Sequence, residues 1–267
     1  MRFFTASNRQ MYMCLILFPF SKRMIKPLII AFIVVFTVSN VCAQTTHSFG
    51  VFPTVNVNGK ISEKLDYSLY YFWALNISNN SQGAKSSDGS FAYGEQAVHF
   101  HAAKYLTLSG SYVFEIVNPL ENYHRNEDRF YVQAKYKYPL GKAQFTQRVR
   151  YDGRFIKNTV TGERPYTSRI RYLSGLTVPF SNREQSPYFT TYNEFFFDLY
   201  KSRQTIYAEN WAFVGIGIHS KKSSAFEMGP LYIMGIKNRN NDISNQWYLQ
   251  LTWIYQLDIA RNKFQKK

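Results

Sequence analysis

Leu249-Gln250-Leu251-Thr252-Trp253-Ile254-Tyr255-Gln256-Leu257 places Leu249, Leu251, Trp253, Tyr255 and Leu257 on one face and Gln250, Thr252 and Gln256 on the other. Successive side chains of a β-strand point to opposite sides, so this is a strand with one apolar and one polar face. The two-residue rhythm recurs from about Phe49 to the end of this stretch. It is carried by runs at 49–57, 64–76, 95–105, 106–117, 129–138, 143–152, 168–178, 188–199, 207–219, 225–237 and 246–257. In the second run Leu65, Tyr67, Leu69, Tyr71, Trp73 and Leu75 oppose Asp66, Ser68 and Asn76. Many half-apolar strands without a spanning apolar helix are the sequence mark of a transmembrane β-barrel.

The connections alternate in length. Short ones fall at 58–63, around Tyr105, at 139–142, 180–187 and 220–224; longer polar ones fall at 78–93, 118–128, 153–167, 200–206 and 238–245. Short turns at one end and longer loops at the other are the pattern of an outer-membrane barrel. Bacterial single-chain barrels usually carry an even number of strands. The fold expected is therefore an all-β, antiparallel up-and-down transmembrane barrel of about 12 strands, or 10 if the run interrupted by Pro53 stays outside it. The alternation also sends the first and last runs in the same direction.

The N-terminus reads as an export signal. Lys22, Arg23 and Lys26 precede an apolar stretch at 27–38, and Val41-Cys42-Ala43 closes it with a small-residue cleavage site. Residues 1–43 are then a removable signal peptide, with Met24 an alternative start, and residues 44–267 form one barrel domain. The stretch from Pro27 is too short for a membrane helix. Val41 stands where a lipoprotein signal carries a small residue before its cysteine. Both cysteines, Cys14 and Cys42, lie in the leader, so the mature chain offers no thiol, disulfide or cysteine metal site.

The 267-residue chain carries 32 basic and 17 acidic residues. The leader holds five of the basic residues and none of the acids, which leaves the mature part at +10. Behind an export signal the partners of such a charge are outer-membrane lipid, lipopolysaccharide and small anionic solutes, not nucleic acid. Tyr67, Tyr71, Trp73, Tyr112, Tyr136, Tyr138, Tyr151, Tyr172, Trp253 and Tyr255 fall on the apolar faces, where aromatic girdles belong.

Arginines form the most ordered polar pattern. Arg148 and Arg150 share one face of a strand, Arg169 and Arg171 one face of the next, with Val149, Tyr151, Ile170 and Tyr172 on the apolar sides. A hairpin centred near Thr159 sets Arg150 opposite Arg169 and Arg148 opposite Arg171. Like charges opposite one another repel, so counter-charges are needed. Glu194 and Asp198 share a face of the following strand, and a turn at 180–187 brings Glu194 opposite Arg171. These six residues are expected to form a lumenal ion network, because polar interiors are the rule in such barrels. The sharper reading is an anion-selecting constriction.

His99 and His101 share a face, but a zinc site takes three or four ligands, and only Glu95 sits nearby. His47, His124 and His219 are isolated. A hydrolase needs a nucleophile beside a base. His219-Ser220 offers neighbours that point to opposite faces, next to Lys221-Lys222; Glu115, Glu194 and Glu209 could act as acids or bases, but nothing pairs them convincingly for catalysis. Inward Tyr70, Phe72, Tyr131 and Tyr192 suit packing before sugar stacking. Neither a phosphate loop nor a dinucleotide fingerprint occurs. The expectation is a non-enzymatic barrel without cofactor or metal, structural or forming a narrow pore with a basic polar lumen. The alternative is a lipid-modifying barrel enzyme.

Glu127-Asp128-Arg129-Phe130-Tyr131, Arg148-Val149-Arg150-Tyr151, Arg169-Ile170-Arg171-Tyr172 and Tyr192-Asn193-Glu194-Phe195-Phe196, in that order and spacing, resemble the bacterial outer-membrane family termed domain of unknown function 2490. Gly215 and the Asn-rich stretch 238–241 fit as well. The resemblance implies a barrel in the outer membrane of a Bacteroidota-like bacterium, and it implies no activity. Phe49-Gly50-Val51-Phe52 departs from the Trp-led first strand expected of the family.

Overall fold

The computed structural model describes residues 45–79, 90–119, 125–183, 185–199, 206–221, 223–236 and 243–257. The expected signal at 1–43, His124 and the stretch 238–241 lie outside them. The described residues form eleven strands: β1 (Thr45–Lys60), β2 (Leu65–Asn79), β3 (Phe91–Ala103), β4 (Leu106–Val117), β5 (Arg125–Leu140), β6 (Ala143–Ile156), β7 (Tyr166–Pro179), β8 (Tyr188–Asp198), β9 (Tyr207–Lys221), β10 (Ser224–Ile236) and β11 (Ile243–Leu257). Each alternating run of the sequence is one strand. Among the described residues there is no helix long and apolar enough to cross a membrane.

The strands pair in sequence order and close into a barrel. All neighbours are antiparallel except the seam, where β1 runs parallel to β11 from Thr45 opposite Ile243 to Gly59 opposite Leu257. An odd count with alternating directions forces one parallel pair, and the seam is that pair. Eleven lies between the even numbers expected: the Pro53 run does enter the barrel, and no twelfth strand is present among the described residues. Pro53 leaves a local mark. The β1–β2 ladder passes from Val51–Leu75 to Thr54–Phe72 without pairing Phe52 and Pro53, because proline has no N–H to donate. A second gap lies at Gly229 and Pro230 between β9 and β10. At the two-residue β5–β6 turn Gly141 has φ +63°, the positive region that short hairpins require.

The β5 strand shows how the wall is built. Glu127, Arg129, Tyr131 and Gln133 are buried, while Phe130 and Val132 between them are 56 % and 62 % exposed. The same inversion holds around the cylinder. Val55, Tyr71, Trp73, Val149, Ile216, Met228, Trp247, Leu249 and Trp253 are exposed, and Glu95, Arg150, Arg154, Arg169, Arg171 and Glu194 are buried. Eleven strands about 4.8 Å apart, at the usual barrel tilt of about 40°, enclose a cylinder roughly 22 Å across between backbones.

Its interior has two unlike halves. Strands from both sides of the seam contribute an aromatic cluster in which Phe52 stacks on Phe72 at 4.4 Å and Phe72 on Tyr93 at 4.6 Å, with Phe91, Trp211 and Tyr248 edge-on or tilted against it. The charges come from β3 to β9. Between the halves lies a cavity of about 580 Å³.

Candidate functional site

The charged half grows from one local rule: every second residue of a strand points inward. On β6 this aligns Arg148, Arg150, Asp152 and Arg154; on β7, Arg169 and Arg171; on β8, Glu194, Phe196 and Asp198. The register between β6 and β7 differs from the one the sequence suggests. Arg150 faces Arg171, Asp152 faces Arg169, and Arg148 faces Leu173. The cause is the loop. The Asn158 side chain accepts the backbone N–H groups of Val160 and Thr161, Asn158 closes on Glu163, and Gly162 takes φ +74°. This turn centres the hairpin between Val160 and Thr161, one residue beyond Thr159. Glu194 likewise faces Leu173, with Phe196 opposite Arg171, yet its side chain reaches Arg171 diagonally.

The expected residues meet in two groups. Arg148 Nη2 and Arg171 Nε both donate to Glu194 Oε1, at 2.6 and 2.7 Å. Arg169 Nε donates to Asp198 Oδ1 at 2.6 Å, and its Nη2 lies 3.1 Å from Glu209 Oε1. Arg150 joins a different set. Its Nε and Nη2 donate to Gln133 Oε1, and its Nη1 to Glu95 Oε2 at 3.2 Å. Glu95 also accepts hydrogen bonds from the Tyr93 and Tyr131 hydroxyls, at 2.6 and 2.5 Å. The Arg150 guanidinium lies over the Tyr131 ring at 3.6 Å, and Arg171 lies over Phe196 at 4.4 Å.

A third group was not foreseen. Arg154 binds Glu127 through both carboxylate oxygens, at 2.6 and 2.7 Å. Arg129 donates to the same carboxylate at 2.8 Å and to Glu115 at 3.1 Å. Such forked pairs are short and geometrically specific. Asp152, with 0 % of its side chain exposed, makes no hydrogen bond and sits 3.9 Å from Arg171 Nη1. The signal for this group lay in the same alternation, in Arg129 at the start of one run and Arg154 just past the end of another.

The network is a chain of cation and carboxylate across β3 to β9. It compensates most of the lumenal charge, so the interior is less basic than four arginines alone suggest. Arginines and lysines still outnumber glutamates along the cavity wall.

The histidines are held pairwise. His99 bridges the hydroxyls of Ser68 and Ser109 at 2.8 Å each, and His101 meets Asp66 at 2.6 Å and Thr107 at 3.3 Å. Among the described residues no group of three or more His, Cys, Asp or Glu is placed to hold a metal ion. His219 packs on the Tyr188 ring. Glu115, Glu194 and Glu209 are each engaged by arginine. Of the inward aromatics, Phe72 belongs to the stacked cluster, Tyr192 stacks on Phe213 and Tyr131 carries Arg150.

No curated protein and no solved structure matches the chain. The family described as "Protein of unknown function (DUF2490)" matches residues 49–248, which takes in every strand from β2 to β10 and most of β1. The barrel and its lumenal network thus lie within the matched span, and the chain belongs to the DUF2490 family.

Proposed function

We infer that the protein is a non-enzymatic barrel of the bacterial outer membrane, a structural element or narrow pore. The observation that carries this reading is the inverted wall: large apolar side chains face out around the cylinder and paired charges face in. In water this arrangement would expose a continuous apolar belt, far beyond the patch a soluble monomer shows. In a bilayer it is the expected one, and closure satisfies the backbone groups that lipid cannot. Tyr105, Tyr136, Tyr138 and Phe145 pack together near the short-turn end, and Tyr232 with Trp247 near the other, as girdles at two interfaces would.

The ion network and the aromatic cluster together narrow the lumen, so any conductance is small. The cationic excess along the cavity favours small anions over cations. Among the described residues, polar groups on the outer wall engage one another: Tyr112 and Arg164 both meet Asp128, and Asn210 donates to Asn193. This supports the non-enzymatic reading over a lipid-modifying one.

The test is fractionation of native membranes followed by a gel with and without boiling. Recovery in the outer-membrane fraction with a heat-modifiable band is expected; a soluble protein with one mobility removes the reading. Planar-bilayer recording then separates the versions. Small anion-preferring steps support the pore, and a silent bilayer leaves the structural barrel.

A further inference from the structure

The ion network accounts for most lumenal charge, yet several polar groups on the cavity wall stay outside it. Lys135 stands directly opposite Arg148 in the β5–β6 register and makes no ion pair or hydrogen bond among the described residues. Arg148 commits one nitrogen to Glu194, whose accepting oxygen it shares with Arg171. Its Nε is buried without a partner. On the facing wall Asn56 and Tyr70 are cross-strand neighbours of β1 and β2. Asn56 Oδ1 is buried and unpartnered, and the Tyr70 hydroxyl makes no hydrogen bond among the described residues. All four residues line one cavity.

Lys135 and Arg148 stand opposed with no carboxylate between them, since Glu194 is shared by Arg148 and Arg171; such cations repel one another, and a buried polar atom left unmatched is costly. Several such groups on one cavity, each aimed at no protein partner, specify the chemistry of a guest. Lys135 Nζ, Arg148 Nε and the Tyr70 hydroxyl are donors, which calls for an anion. Asn56 Oδ1 is an acceptor, which calls for a hydroxyl on the same molecule. The volume, about 580 Å³, lies in the range of small-molecule sites.

We propose that this corner of the lumen binds a small hydroxylated carboxylate, of the acidic-sugar type. The carboxylate sits between Lys135 and Arg148, and a hydroxyl donates to Asn56. A neutral sugar lacks the first contact and sulfate lacks the second. The proposal rests on the barrel reading above but not on conductance.

Calorimetric titration of the purified full chain in detergent tests it, with glucuronate, glucose and sulfate as probes. Glucuronate is expected to bind, with glucose and sulfate weaker by roughly tenfold or more. Lys135→Met and Asn56→Ala should each weaken glucuronate by about tenfold while keeping the heat-modifiable band. Three results overturn the site in a preparation that shows that band: no heat with glucuronate, equal affinity for sulfate, or wild-type affinity in Lys135→Met. A preparation without the band refutes the barrel reading itself and takes the site with it.

Discussion

Glu127 is held by two arginines at once, and replacing it with glutamine is the sharpest test of the network. The side chain is 1 % exposed and takes three hydrogen bonds, from Arg154 Nε at 2.6 Å, Arg154 Nη2 at 2.7 Å and Arg129 Nε at 2.8 Å. Glutamine keeps the shape, removes the charge and turns one acceptor into a donor aimed at a guanidinium. Removing one partner of a buried ion pair typically costs about 3–5 kcal/mol. Here Arg129 keeps Glu115 at 3.1 Å and Arg154 keeps Asp198 at 3.7 Å, which places the expected loss at the lower end, about 3 kcal/mol. The assay is urea unfolding in lipid vesicles, with the folded fraction read from the heat-modifiable band. Exposed Glu63 at the β1–β2 turn is the control; Glu63→Gln should change stability by less than about 0.5 kcal/mol. A double-mutant cycle with Arg154→Met should return a coupling of about 2 kcal/mol. A Glu127→Gln variant within about 1 kcal/mol of wild type, or a cycle without coupling, refutes the claim that these pairs are desolvated and hold the lumen.

Three further outcomes are expected. Val132→Arg, on an outward position 62 % exposed near the middle of β5, should cost about 2–4 kcal/mol in lipid vesicles, as charges on a bilayer-facing wall do; unchanged urea stability counts against lipid contact there. Gly229→Ala should weaken or abolish the folded band, because a Cβ at that position falls 2.0 Å from Val214 O in the gap beside Pro230; wild-type stability in the same urea assay contradicts the close approach of β9 and β10. Arg150→Ala removes the guanidinium that bridges Gln133 and Glu95, so single-channel recording should show larger steps than wild type with weaker anion preference, and unchanged steps place the constriction elsewhere.

The architecture was legible in the sequence because its signal is a period of two, repeated over a long chain. Alternation in 246–257 or 64–76 marks a strand whatever its neighbours do, and the run 106–117 coincides with β4. Strand parity was not legible, since it depends on whether the Pro53 run pairs, and the parallel seam with β11 settles that through long-range contact. The charges were half legible. Arg148, Arg150, Arg169, Arg171, Glu194 and Asp198 stood out because they repeat on adjacent runs. Arg154 and Glu127 escaped because each sits just past the boundary that a single strand suggests, and a strand's ends are set by its partners. The register between β6 and β7 failed for a different reason. Side-chain hydrogen bonding by Asn158 moves the turn centre by one residue, and with it every cross-strand pair.

The most direct measurement of the central claim uses the four tryptophans as depth probes. Trp73, Trp247 and Trp253 are exposed on the outer wall, whereas Trp211 lies inside against Phe52 and Phe196. In single-tryptophan variants refolded into vesicles of brominated lipid, fluorescence from Trp247 or Trp253 should be strongly quenched and that from Trp211 largely spared. Equal quenching of Trp211 and Trp253, or quenching of neither, contradicts a barrel that turns its apolar face to lipid and its charges inward.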